Sequence, residues 1–367
     1  MRVSVSACLI VRNEEAHLDT CLSKLRGFAD ELVIVDTGSE DQTREIARAH
    51  GANLLETTRG EDFSKARNLG LAQASGDWIL YIDADEHFDT AGHDKSCLLD
   101  PSAIAGNVSL QASLRLTPYP EPRLFRNRPD IRFQSVIHET VHPHLRDILA
   151  RDSTSRIVET PYRIEHFGYE GDLTHKHQRN RNMLERAVRS NPQRIYLWHA
   201  LGECLLGLGD CAAAANAWRK GLALVRDRPS RPEDALIYAD LLSLHFDATS
   251  TALPDGDTLL AEARTRHPED PLILWYSARG HLATGKLAAA RHECDTLLSA
   301  SPQNLLAPLG YDKRLFRQFP WALLGSCALA ENAHEEAASC YERALAEEPD
   351  NRELLTKLQL ARLRASA

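Results

Sequence analysis

No run of about 18 apolar residues occurs in the chain, which excludes a membrane-spanning helix. No two of the eight cysteines form a CxxC pair; they stand singly at 8, 21, 97, 204, 211, 294, 327 and 340. That scatter argues against a zinc ribbon or a disulfide scaffold and for a reducing compartment, so a cytoplasmic protein is expected. The apolar N-terminal stretch has no small-residue cleavage site behind it, and charged Arg12 and Glu14 follow it. A first strand is expected there, not a signal peptide. Positive charge is also in short supply. The net charge of −9 disfavours nucleic acid and anionic membranes as partners. The balance is uneven, however, because residues 115–189 carry 14 Lys and Arg against 10 Asp and Glu. Such a stretch suits either a phosphate-facing wall or a solvated surface.

What is present suits a globular protein. Apolar residues make up 43% and charged residues 26%, and 367 residues suggest two domains. Up to Asp83, short apolar runs alternate with helical spacing. Strands are expected at Val3–Val11, Glu31–Val35, Asn53–Glu56 and Trp78–Ile82, with helices between them. Ser39 with Gln42 reads as a capping box for a helix that Gly51 stops, and 62–74 reads as a further helix. Strands alternating with helices imply a parallel sheet covered on both faces. Ligands of such sheets lie beyond the carboxyl ends of the strands. Three polar segments fall at those ends: Arg12-Asn13-Glu14-Glu15, Asp36-Thr37-Gly38-Ser39 and Asp83-Ala84-Asp85-Glu86.

From about 181 the chain becomes helical and rich in Ala and Leu. Trp198, Leu201, Gly202, Leu205, Gly209, Ala214 and Trp218 fit the 34-residue tetratricopeptide template. Trp321, Leu324, Gly325, Ala337, Tyr341, Ala344 and Pro349 fit it again, and Pro268 and Pro302 keep the same period. Three to four repeats are expected, with a degenerate copy at 235–267, an insertion at 303–317 and a capping helix at 351–364 with one polar face. The division expected is therefore 1–180 and 181–367.

The segments LIVRNEE (9–15), VIVDTGSEDQT (33–43), DFSKARNLGL (62–71) and GDWILYIDADE (76–86) resemble family 2 glycosyltransferases of the GT-A fold. That resemblance implies an α/β domain with a mostly parallel sheet, followed here by an all-α tetratricopeptide solenoid. It also implies a nucleotide diphosphate sugar, with UDP as the expected nucleotide, and Mg²⁺ or Mn²⁺ to neutralise the leaving diphosphate. By the same resemblance, Asp36 meets the nucleobase and ribose, and Val11, Arg12, Asn13 and Glu15 line the nucleoside. Asp83 and Ala84 fall at the ribose or donor sugar, and Arg67 and Asn68 at the sugar or diphosphate. Asp85 and His166 become metal ligands. Glu139 in RFQSVIHETV becomes the base that deprotonates the acceptor, although the family's usual motif ends differently. Lys176, Arg179 and Asn180 are candidates to close over the phosphates, with a solvated helix start as the other reading. On these assignments the basic stretch becomes the far wall of a diphosphate site.

The arrangement also resembles peptide S-glycosyltransferases that join such a domain to tetratricopeptide repeats. The repeats would then bind a peptide, protein or glycan acceptor, form a homodimer, or both. A lipopolysaccharide-core type transferase and a non-catalytic repeat scaffold are the alternatives. His138-Glu-Thr-Val-His142 spells HExxH, the zinc-protease signature, which requires a helix. Val136, Ile137, Thr140 and Val141 favour a strand instead, and Pro143 is expected to stop any helix after the second histidine.

Overall fold

The structure, a computed structural model, describes residues 3–57, 62–167, 174–247, 253–302, 305 and 309–366. Gly168, in the RIEHFGY segment, lies outside the described residues. The chain forms two compact units, Met1–Leu114 with Pro118–Pro192 and Arg115–Thr117 with Gln193–Ala367.

The strands of the first unit are β1 (Val5–Val11), β2 (Glu31–Asp36), β3 (Asn53–Glu56), β4 (Trp78–Tyr81), β5 (Glu86–Asp89), β6 (Ala103–Gln111), β7 (Tyr119–Arg126) and β8 (Arg156–His166). Its helices are α1 (Leu18–Lys24), α2 (Thr43–Ala49), α3 (Phe63–Leu71), α4 (His142–Arg151) and α5 (Thr174–Ser190). Helix α5 runs unbroken across residue 180. The eight strands form one sheet in the order β3-β2-β1-β4-β7-β6-β8-β5.

β1, β2 and β4 are apolar almost throughout because both faces of the sheet are covered. Val5, Ala7, Leu9 and Val11 pack on one face with Trp78, Leu80 and, from α1, Leu18 and Leu22. Cys8, Val33, Ile79 and Tyr81 pack on the other with Leu71 of α3 and Leu145 and Ile148 of α4. The period of two thus sorts one apolar run into two cores.

β3, β2, β1 and β4 pair in parallel, so their carboxyl ends share one rim. Beyond β4 the sheet is mixed. β7 runs antiparallel to both β4 and β6, because no crossover helix separates β6 from β7. β5 runs antiparallel to β8, in a register that sets Glu86 opposite His166.

Two local expectations are corrected. Ser39 does not cap α2: the helix starts at Thr43 behind Gln42, with no side-chain cap. The Ser39 hydroxyl instead accepts the Asn13 N–H at 3.0 Å. Segment 134–141 is not a strand but a loop closed by one bridge, Gln134 to Thr140. Pro143 opens a helix where it was expected to stop one: it sits in the first turn of α4, where no helical N–H bond is lost. His138, at φ 51°, lies before that helix, so the two histidines of HExxH share no helical face.

Among the described residues the second unit holds four helical hairpins: α6 (Ile195–Gly207) with α7 (Cys211–Arg226), α8 (Ala235–Asp247) with α9 (Gly256–Arg266), α10 (Pro271–Ala283) with α11 (Leu287–Ser299), and α12 (Gln318–Ala330) with α13 (His334–Leu345). Helix α14 (Arg352–Ala365) follows. A Cβ on Gly202 would lie 2.1 Å from Trp218 Nε1, and one on Gly325 would lie 2.8 Å from the Tyr341 ring. Glycine therefore lets the paired helices touch. The long α11–α12 connection carries its own small core of Tyr311, Leu315 and Phe316. The outer side of α14 is not uniformly polar, since Leu355, Leu360 and Leu363 are exposed. Among the described residues no helix is long and apolar enough to cross a membrane.

Candidate functional site

The carboxyl end of β1 turns sharply at Asn13, which holds φ 57°. Backbone and side chains then lock that turn to the turn after β2. Asn13 Oδ1 accepts the Glu40 N–H at 2.8 Å, the Glu14 N–H donates to Thr43 Oγ1 at 2.7 Å, and Glu15 Oε2 accepts the Gln42 N–H at 3.0 Å. Glu15 and Asn13 thus brace the rim, while the Arg12 side chain is exposed.

Asp36 ends β2 and is buried, at 1% exposure. Its Oδ1 accepts the N–H groups of Gly38 and Ser39, each at 3.0 Å. Gly38 holds φ +108°, a conformation that suits glycine and completes this turn. Asp36 Oδ2 is buried with no partner. A buried carboxylate oxygen left unpaired is costly, which makes this atom a candidate acceptor for a ligand.

Beyond β4, Asp83, Ala84 and Asp85 lead into β5, with Ala84 buried. Arg67 of α3 donates from Nη2 to Asp83 Oδ1 at 2.7 Å and from Nε to Glu139 Oε1 at 2.5 Å. Its guanidinium lies 5.4 Å from the centroids of both the Tyr81 and Phe133 rings. Desolvation works against a charged Asp83, but Arg67 and then Arg123 overcome it and hold its carboxyl below the usual carboxylate range. Asp83, Arg67 and Glu139 are thus one chain of ion pairs, linking segments 56 residues apart.

Asp85 Oδ2 lies 3.1 Å from His166 Nε2, and His166 Nδ1 is 3.7 Å from Glu86 Oε1. Burial disfavours the His166 charge, yet the hydrogen bond and charge of Asp85, with Glu86 and Asp83, raise its affinity for a proton. Glu14 is pushed up to about 7, first by burial and then by Asp85, Asp83 and Asp41, with Lys176 opposing. This rim therefore gathers carboxylates whose charges oppose one another's ionisation. Among the described residues no three His, Cys, Asp or Glu side chains converge as a ligand set. Asp85 and His166 offer two donors, which suits an ion that keeps waters and takes phosphate oxygens.

Sequence reasoning missed three contributors. Glu14 was read only as part of its segment. Glu86 and Arg123 form a buried bidentate pair at 2.6 and 3.1 Å that fixes the chain leaving Asp85. The signal for Arg123 was an arginine inside an apolar strand. Both ends of the Asn68 amide are bonded to the backbone of Phe133. Several arginines of the basic stretch have partners within the first unit. Arg126 lies 4.6 Å over the Trp78 ring, Arg128 pairs with Asp130, Arg132 donates to main-chain carbonyls and Arg156 pairs with Asp100. Lys176 acts on Glu14, and Arg179 is held below its usual range by burial and Arg12, with Glu14 opposing.

Residues 6–91 match the profile described as glycosyl transferase family 2. A TPR repeat-containing protein of Synechococcus elongatus is 40% identical over 248 residues, 65% of this chain and 60% of that protein. The SPbeta prophage-derived glycosyltransferase SunS of Bacillus subtilis is 24% identical over 208 residues, 52% of this chain and 46% of SunS. The chain thus spans less than two thirds of the length of either relative. A crystal structure of glucosyl-3-phosphoglycerate synthase from Mycobacterium tuberculosis covers 50% of this chain and 80% of its own, at 19% identity and a TM-score of 0.38.

Proposed function

We propose, from the premise of a family 2 glycosyltransferase domain followed by tetratricopeptide-type hairpins, that this chain is an inverting, metal-dependent glycosyltransferase. Its donor is a nucleotide diphosphate sugar, most simply a UDP-hexose, and its acceptor a peptide or protein. One observation carries the proposal: Arg67 joins Asp83 to Glu139, and the Asp85–His166 pair stands two residues further along, beside the strand rim that also ends in Asp36.

Asp36 presents its unpartnered oxygen to the nucleobase or ribose, and Val11, Arg12, Asn13 and Glu15 frame the nucleoside. Asp83 and Ala84 meet the ribose or sugar. Asp85 and His166 would hold Mg²⁺ or Mn²⁺, which neutralises charge on the departing diphosphate. Glu139 takes the proton of the acceptor nucleophile as that atom bonds to the anomeric carbon. The bond from that carbon to the phosphate oxygen breaks, and the nucleoside diphosphate leaves with the electron pair. SunS, a glycosyltransferase by name, supports sugar transfer, and the hairpins favour a peptide or protein acceptor.

The test is thermal unfolding of the chain with a panel of nucleoside diphosphates and Mn²⁺. One nucleotide should stabilise at saturating concentration, by about 2.7 kcal/mol at 100 times its Kd, and the others much less. No shift with any nucleotide would favour a non-catalytic scaffold.

A further inference from the structure

We infer that Asn68 is a positioning residue for Glu139, working with Arg67 so that α3 fixes the proposed base against the Asp83 end of the donor site. This inference rests on the reading of Glu139 as the base.

The amide of Asn68 donates from Nδ2 to Phe133 O at 2.9 Å and accepts the Phe133 N–H on Oδ1 at 2.8 Å. One side chain thereby saturates both polar groups of a single residue 65 positions away, as a neighbouring strand would. That fixes the backbone's orientation as well as its place. The Phe63 N–H, at the start of the same helix, donates to Val136 O at 2.9 Å. Arg67, next to Asn68, grips the Glu139 carboxylate at 2.5 Å and Asp83 at 2.7 Å. Helix α3 therefore holds this loop at residues 133, 136 and 139.

The loop needs holding. Gln134 and Thr140 exchange N–H···O bonds of 3.0 and 3.1 Å, so the turn between them is tight. Ser135 (φ 86°) and His138 (φ 51°) are both non-glycine residues in the left-handed region. Such conformations persist only when their surroundings impose them. The Ser135 hydroxyl donates to Ile137 O at 2.8 Å, and the bracket on Phe133 supplies the anchor at the loop's entry. Only a side chain with a donor and an acceptor on one short planar group makes that bracket. Releasing it would let Glu139 drift, and a shift near 1 Å at a reacting group costs about 10²-fold in rate.

The experiment uses the full chain, with release of UDP from UDP-hexose in Mn²⁺ as turnover and calorimetric titration of UDP as binding. Asn68→Ala should bind UDP within about twofold of the parent while kcat falls on the order of 10²-fold. The Asn68→Ala, Glu139→Gln double variant should be no slower than Glu139→Gln alone, because the two act through one carboxylate. Asn68→Asp, which keeps the acceptor for the Phe133 N–H but sets a second oxygen against Phe133 O, should fall at least as far as Asn68→Ala, and it serves if the alanine variant does not fold. UDP binding lost in step with kcat would overturn the inference, placing Asn68 on the donor. Losses that multiply in the double variant, with Glu139→Gln itself slow, would overturn it too while leaving the base intact. Parental turnover in Glu139→Gln would instead remove the base, and this inference with it.

Discussion

Asp36 divides its carboxylate between two tasks, one oxygen holding the Gly38–Ser39 turn and the other buried without a partner. Asn at this position keeps an acceptor for the turn but replaces the free acceptor with a donor. Asp36→Asn is therefore expected to leave the unfolding midpoint within about 0.5 kcal/mol of the parent and to weaken nucleotide binding by tenfold or more. Calorimetric titration beside urea unfolding checks both halves; unchanged affinity would mean the free oxygen meets no ligand. The rim positions of Asp36 and Asp83 were legible because each ends an apolar run. Glu14 was not. Its rise to about 7 comes from burial and from carboxylates some 70 positions downstream, and no local pattern records that proximity. The Asn68 contact was illegible for the same reason, since its partner lies 65 residues away.

At the scale of elements, β1 to β4 follow from apolar runs, and their residues were legible to within two positions. The mixed half of the sheet was harder to read. β8 lies between β6 and β5, an order set by pairing across the chain and not by local spacing. The α2 start and α4 were misread because Ser39 and Pro143 have partners and positions that propensity alone does not supply. In the second unit the glycine at 202 was legible by template, and its reason is geometric. Gly202→Ala must displace the Trp218 ring, which also donates to His199 O at 3.1 Å, so a loss of roughly 1–3 kcal/mol is expected in urea unfolding. A loss under about 0.5 kcal/mol would show that α6 and α7 part easily.

Helices α6 and α8 are also tied by a buried pair, His199 Nδ1 to Asp240 Oδ2 at 2.6 Å. Burial opposes charge on His199, but Asp240 outweighs it and raises the imidazole; burial raises Asp240, and burial with Asp240 raises Glu203. All three groups bind protons more tightly in the folded chain. The stability from His199 is thus full below the unfolded imidazole value, about 6.5, and is lost as pH climbs through the raised folded value. The stability gap between the parent and His199→Asn should therefore shrink from pH 6 to 8.5. A gap that stays constant across that range would show that the pair does not titrate there.

Over the whole molecule, a net charge of −9 coexists with a basic stretch several of whose arginines serve the first unit's own framework. The two-unit organisation was legible as a change from alternating strands to repeated helices. The negative field at the strand rim was not, because it sums Glu14, Asp83, Asp85 and Glu86 from separate segments. That field is why a divalent cation belongs to the proposed chemistry. Release of nucleoside diphosphate from a panel of nucleotide sugars, measured with Mn²⁺ for the parent and for Asp85→Asn, addresses sugar transfer most directly. The proposed chemistry predicts release from one nucleotide sugar by the parent, abolished by chelation and lowered at least 10²-fold in Asp85→Asn. No release from any donor by the parent, or parental release by Asp85→Asn, would contradict it.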